Sequence, residues 1–164
     1  MSLTSIHDLD GDAKAWVFGA SRPFGGDGVA IRATMERFID EWTAHGADLP
    51  AGFDLVDDRF LVVAADEGAQ PGGCAVDRLF DLMRDFERQL GLSMIDSGLV
   101  FFRDSSGSVR SASRAEFREL AAAGEVSRDT IVFDTSIDRL ADYREGRWSR
   151  PAAESWHGAA FGLK

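Results

Sequence analysis

Phe53-Asp54-Leu55-Val56-Asp57-Asp58-Arg59-Phe60-Leu61-Val62-Val63-Ala64-Ala65 is the stretch on which the fold turns. Two apolar runs, Phe53–Val56 and Arg59–Ala65, flank a pair of aspartates. A short polar break between such runs reads as strand, tight turn and strand. On either side stands a helical pattern. Upstream, from Val29 to His45, Ile31, Met35, Phe38, Ile39 and Trp42 are spaced by four, three, one and three, which is one helical face. Gly46 follows as the expected left-handed terminator. Downstream, from Cys74 to Leu90, the residues Val76, Leu79, Phe80, Met83, Phe86 and Leu90 share a side, and Gly91 ends the pattern.

Farther out, Ala15–Ala20 alternates, with Trp16 and Phe18 on one side, as a strand does. Leu99–Arg103 and Val109–Ser111 read as a hairpin around Ser105-Ser106-Gly107. Ser113-Arg114-Ala115-Glu116 is a capping-box pattern for a short helix that stops at Gly124. Thr130–Phe133 reads as a strand and Ser136–Tyr143 as a short helix. The order is β-α-β-β-α-β followed by β-α-β-α. This predicts an α+β fold: a ferredoxin-like βαββαβ core with a β-α-β-α extension, its antiparallel or mixed sheet carrying the two main amphipathic helices on one face. Phe38, Trp42, Phe80, Met83 and Phe86 are expected between helices and sheet. Residues 1–13 are polar and read as a loose N-terminal tail, and residues 14–164 as a single domain.

The 164 residues carry a formal charge of −10. Nucleic-acid binders need a basic footprint, so a nucleic-acid partner is not expected. The same charge argues against an anionic membrane surface. The longest apolar runs fall far short of the roughly 20 residues that span a bilayer, and the first twelve residues lack the pattern of a signal peptide. Lys14 and Lys164 are the only lysines, against sixteen arginines, and asparagine is absent. Two explanations compete. GC-rich coding replaces Lys and Asn codons, and adaptation to a salt-rich cytoplasm favours an acidic, lysine-poor surface. The single cysteine, Cys74, excludes an internal disulfide and fits a reducing compartment, so a cytoplasmic location is expected.

Several catalytic and binding signatures fail on inspection. Asp8-Leu9-Asp10-Gly11-Asp12 opens like a calcium loop, but Ala13 stands where glycine is needed and Gly19 where a bidentate glutamate should sit. Neither lysine falls in a P-loop pattern. Gly26-Asp27-Gly28 followed by Ile31 breaks the dinucleotide fingerprint, and Asp27 would repel phosphate. His7, His45 and His157 lack zinc-hydrolase spacing. A weaker metal arrangement would join His45 and His157 to one carboxylate of Asp66-Glu67. No cofactor and no metal are expected.

What remains is a set of polar residues at the ends of apolar elements. Cys74 follows Pro71-Gly72-Gly73 at a helix start, where backbone donors and the dipole favour a thiolate. A thiol enzyme would use Cys74 as nucleophile, His45 or His157 as base and Asp66 to orient it. The plainer readings are a small buried cysteine at a tight helix start and a histidine capping its helix. At the Gly72-Gly73 helix start, Asp66 and Glu67 are expected to close the loop by accepting hydrogen bonds from the first amides of the second helix. The alternatives are an external carboxylate or phosphate held there, or a plain tight turn. Trp42, Trp148 and Trp156 recur beside polar groups without completing a catalytic set, which favours a non-catalytic domain binding a small molecule or a protein, as monomer or homodimer.

Trp42-Thr43-Ala44-His45-Gly46, Arg59-Phe60, Ala65-Asp66-Glu67, Gly73-Cys74-Ala75-Val76-Asp77, Asp129-Thr130-Ile131-Val132-Phe133 and Ser155-Trp156-His157 together resemble the pattern of a family of small bacterial proteins of unknown function. Some members of that family carry the label of ABC-transporter ATPase, which the missing P-loop contradicts here. The family pattern at the cysteine reads Gly-Cys-Ser-Ile-Asp, and Ala75 and Val76 replace its middle pair. The resemblance brings no activity. It implies Trp42, His45, Asp66, Glu67, Cys74, Asp77, Trp156 and His157 as the positions to test first. The residues expected on the ligand-binding side are Trp42, Glu67, Gly73, Asp77, Trp156 and His157.

With so many carboxylates on a small chain, like-charge repulsion should weaken the fold at low ionic strength. The melting temperature should therefore rise with sodium chloride up to a few hundred millimolar, where the Debye length falls to about 5 Å or less. A flat or falling melting curve over that range would show that the carboxylates are locally neutralised by arginine.

Overall fold

The computed structural model describes residues 4–44, 46–66 and 73–164. In chain order these form β1 (Lys14–Gly19), α1 (Gly28–Glu41), the two-residue strands β2 (Thr43–Ala44) and β3 (Ala47–Asp48), β4 (Ala51–Val56), β5 (Phe60–Ala65), α2 (Gly73–Leu90), β6 (Leu99–Arg103), β7 (Val109–Ser113), α3 (Arg114–Ala122), β8 (Ile131–Phe133), α4 (Leu140–Arg144), β9 (Ser149–Pro151) and α5 (Trp156–Phe161).

The aspartate pair makes the turn the sequence implies. Asp57 and Asp58 have φ of 53° and 57°, the left-handed values of a type I′ hairpin turn, and Arg59 N–H donates to the Val56 carbonyl at 3.1 Å. Aspartate tolerates that conformation better than most residues. The Asp58 side chain also accepts from Gly25 N–H at 3.1 Å, and Asp57 pairs with Arg103 at 3.2 Å. From the turn, β4 pairs antiparallel with β5, and β5 pairs antiparallel with β1, giving the order β1-β5-β4. That is the order of a split β-α-β unit.

The sixth expected element departs from the ferredoxin-like pattern. β6 does not lie beside β1. It is an inner strand of a second antiparallel sheet of order β7-β6-β8-β9. The physical reason lies in its apolar faces. Phe101 points into one core, while Val100 and Phe102 point into another. A strand apolar on both sides needs cover on both sides, which an edge position in a one-layer sheet does not give. β5 obeys the same rule: all six of its residues are buried. The first sheet is therefore covered on both faces, where the helix patterns suggested one.

Four layers result. Ile31, Met35 and Ile39 of α1 and Ala75, Leu79, Met83 and Phe86 of α2 pack with Phe18, Leu61 and Val63 on one face of the first sheet. Trp42, Met83 and Phe86 lie buried there as expected, with Phe38 and Phe80 partly buried against them. Between the sheets, Phe60 meets Phe101, Trp148 and Phe133 with ring centroids 4.9–5.2 Å apart. Beyond the second sheet, Phe117 of α3 and Phe161 of α5 cover Val100, Phe102 and Val132. The capping box forms, with Ser113 Oγ accepting from Glu116 N–H at 3.1 Å.

Three local expectations are corrected. α1 stops at Glu41, and Gly46 turns the small β2–β3 hairpin instead of ending the helix. The short helix expected from Ser136 is α4, which starts at Leu140. The stretch expected as a loose tail is packed from Thr4 onward. Ile6 and Leu9 are buried between the sheets, and a Cβ at Gly52 would overlap the Thr4 carbonyl. Among the described residues no helix is long and apolar enough to cross a membrane.

Arg59 fastens the two sheets at one corner. The residue is only 6 % exposed, and its guanidinium donates to the Ala20 carbonyl at 3.2 Å, the Val109 carbonyl at 3.0 Å and Ser111 Oγ at 2.6 Å. Near the same corner the Phe101 ring lies against the backbone of Gly19, where a Cβ would overlap it. Gly19→Ala should destabilise the fold by about 1–3 kcal/mol through overpacking. Urea denaturation checks this, and a neutral variant would show that Phe101 is free to move aside.

Candidate functional site

Antiparallel pairing turns the backbone groups of alternate residues toward opposite neighbours. Ala20 N–H donates to the Arg59 carbonyl at 2.7 Å, in register with the β1–β5 ladder, so Lys14, Trp16 and Phe18 serve β5. Ala15, Val17 and Gly19 face the other way. On that side Ala15 N–H donates to the Asp138 carbonyl at 3.0 Å, where Lys14 and Arg139 form an isolated bridge. Farther along, Ser21 N–H donates to the Ser93 carbonyl at 3.0 Å. Between these two clamps the Ala15 carbonyl and both backbone groups of Val17 and Gly19 meet no backbone partner among the described residues. The open edge runs roughly 13 Å.

This edge is the floor of a groove of about 300 Å³. Phe80 from α2, with Met94 and Ile95 from the loop after it, form one wall. Phe101 of β6 and Ile137 form the other. The two walls belong to different cores, the first to the helix layer and the second to the space between the sheets. Lys14, Asp96 and Asp138 border the groove. Lys14 Nζ is 3.9 Å from Asp138, while Asp96 accepts from Gly98 N–H at 2.8 Å and forms no ion pair among the described residues. A larger hollow of about 570 Å³ beside Arg103, Arg110, Glu125 and Asp129 has mixed charge on its walls.

The residues singled out from sequence do not converge. Cys74 is exposed in the first turn of α2, contrary to a buried cysteine, and Asp77 is exposed on the same helix. Gly73 opens α2, and Asp66 is half-buried just after β5. His45 and Glu67 lie outside the described residues, and with them the loop over which Asp66 and Glu67 would close the helix start. His157 is a buried residue of α5, on the far side of the second sheet. Both sheets separate it from Cys74, and packed sheets alone are about 10 Å apart. His157 is therefore not placed to act as base for Cys74.

Trp42, implied as a ligand contact, is fully buried. Its Nε1 donates to the Ala75 carbonyl at 2.9 Å, tying the end of α1 to the first turn of α2, and its ring packs on Trp16 and Phe38. Trp156 is 42 % exposed, stacked on the His157 ring at 3.8 Å with the Arg114 guanidinium 5.5 Å from its centroid.

His157 Nδ1 lies 2.8 Å from Ser155 Oγ. Burial pushes the imidazole pKa down to about 4, with Arg114 adding to the effect and Asp134 opposing it. An imidazole so hard to protonate is a poor general base near neutral pH. A second polar cluster has no signature in the sequence. Tyr143 OH donates to Asp54 Oδ2 at 2.8 Å, and His7 Nε2 is 3.4 Å from the same oxygen. Burial and the Asp54 carboxylate raise the Tyr143 pKa. The cluster joins α4 and the N-terminal stretch to β4, three segments far apart in the chain. Of the groove residues, sequence reading placed Phe80 as core and Phe101 in a strand. The open edge itself has no sequence signal.

Above pH 6.5 the His157 imidazole is neutral in both the folded and the unfolded chain. As the pH falls from about 6.5 through about 4, the unfolded chain binds a proton that the folded one does not, so stability is lost. The loss attributable to this group approaches roughly 3 kcal/mol. Urea melts of the wild type and His157→Gln should therefore show a stability gap that narrows by up to that amount between pH 7 and pH 4. A gap independent of pH would contradict the depressed pKa.

No protein-family model, no curated protein and no solved structure matches the chain.

Proposed function

We propose that the chain is a non-catalytic binding domain and that the groove beside β1 is its binding site. The observation that carries this reading is the open strand edge lying at the bottom of an apolar groove. The edge's main-chain groups are left for an incoming partner, and the walls formed by Phe80, Met94, Ile95, Phe101 and Ile137 gain stability when apolar surface covers them. The placement of the reactive groups supports the same reading. Cys74, His157 and the Asp54–Tyr143 pair lie in different layers, and where a hydroxyl does meet an imidazole, Ser155 Oγ against His157 Nδ1, burial leaves that imidazole a weak base. A chain whose only cysteine is exposed suits a reducing compartment such as the cytoplasm. The resemblance to a small bacterial family adds no activity to this reading.

The test is a backbone-amide NMR titration with small apolar fragments, using indole and 4-methylpentanamide as probes. Shifts should cluster on Gly19, Ile95 and Ile137. Ile137→Asp should weaken fragment binding by about tenfold, because the carboxylate enters an apolar wall. Fragments that instead gather beside Arg103 and Arg110, or around Cys74, would move the site and overturn the reading.

A further inference from the structure

We propose that the groove takes an extended peptide segment of a partner protein, which adds as a strand to the open edge of β1. The segment is a short unbroken apolar run with a lysine or arginine at its flank. This rests on the groove being the binding site and goes further, because it assigns the class of partner and the way it is read.

The backbone groups argue for a strand. A compact small molecule can cover the walls, yet it has no means of meeting five main-chain groups spaced along about 13 Å of β1. An extended chain meets them at alternate residues, and main-chain pairing at a sheet edge is an established mode of peptide recognition. The ladder on this edge has already begun, since Ala15 N–H is bonded to Asp138 and Leu140 N–H to the Ala13 carbonyl. An added strand continues the same edge from Ala15 to Gly19.

The walls set the side chains. Successive residues of a strand point to opposite faces. On one face of the added strand stand Phe80, Met94 and Ile95, and on the other Phe101 and Ile137. Both faces are apolar, so the fitting segment is apolar at consecutive positions instead of alternating. Gly19 bears no side chain, and the Phe101 ring fills the space where one would project.

Charge sets the flank. The chain as a whole carries −10, and the groove border holds Asp96 and Asp138 against Lys14 alone. Lys14 sits at ion-pair distance from Asp138, which leaves Asp96 to complement a cation brought by the partner. A second copy of this acidic chain lacks that complementarity. Its own β1 edge is likewise the floor of a groove, so two copies cannot lie edge to edge before their walls meet.

The experiment uses the full chain and a blocked Lys-Val-Ile-Val-Ser peptide. Hydrogen exchange should slow at Val17 and Gly19 when the peptide is added, while Trp16 and Phe18, already bonded to β5, stay unchanged. N-methylation of the alternate peptide amides that face β1 should weaken binding roughly tenfold or more, and methylation of the intervening amides should not. Val17→Pro removes an outward N–H that β5 does not use and should also abolish protection at Gly19. Because that variant can disturb the strand, the methylated peptides on the wild-type chain decide the matter. Apolar fragments that shift groove residues while the peptide shows no alternation would overturn strand addition and leave the groove as a site. No shift in the groove from fragments or peptide would overturn both. Protection of Val17 that grows with protein concentration alone would assign the edge to a second copy and overturn the peptide.

Discussion

Arg59 is the constraint on which the two-sheet arrangement depends. A guanidinium taken out of water must have its donors satisfied, and leaving one unmet is costly. Here the acceptors are two backbone carbonyls and a hydroxyl, drawn from the end of β1 and from β7. Ser111 Oγ in turn donates to the Ser21 carbonyl at 3.0 Å. Burial pulls the Arg59 pKa below its usual value, with the neighbouring Asp58 carboxylate acting the other way. None of these acceptors can slide without breaking a ladder, so the network holds one sheet in a single position over the other. The next residue, Phe60, then enters the space between the sheets and meets three aromatic rings.

The open edge follows from this geometry. β6 is held in the second sheet by β7 and β8 and by the packing of Phe101 against Phe60 and Gly19. It is therefore not free to pair with β1, which is where a ferredoxin-like fold would put it. The place it would have taken becomes a slot, with the helix layer on one side and the second sheet on the other. Sheet edges are usually short, charged or covered, because an uncovered edge invites pairing. Here clamps at Ala15 and Ser21 keep the unpaired run short, and the walls recess it.

Much of the architecture was legible locally. The aspartate pair between two apolar runs announced the β4–β5 hairpin, and the spacing of Ile31, Met35 and Ile39 announced the face of α1. Ser113 and Glu116 announced the start of α3. What misled was the assumption of one covered face. The unbroken run from Phe60 to Ala65 already signals cover on both sides, as do the successive apolar residues of β6. The candidate site was less legible. Cys74, His157, Trp42 and Trp156 attract attention because their chemistry is rare, yet the fold distributes them among a helix surface, two cores and an outer face. Ile6 and Leu9 were hidden in a polar stretch, where two apolar residues make no period.

The sequence by itself determined the elements, the hairpin turn, the caps and the apolar faces, because each depends on neighbours within a few positions of the chain. Only the tertiary structure decided which strand edge stays open, what walls it and which polar groups are buried. Those depend on pairings between segments such as β1 and β5, Arg59 and β7, or Tyr143 and Asp54. No local period encodes such pairings, since they are set by the packing that seats the Arg59 guanidinium and covers both faces of β5 and β6 at once.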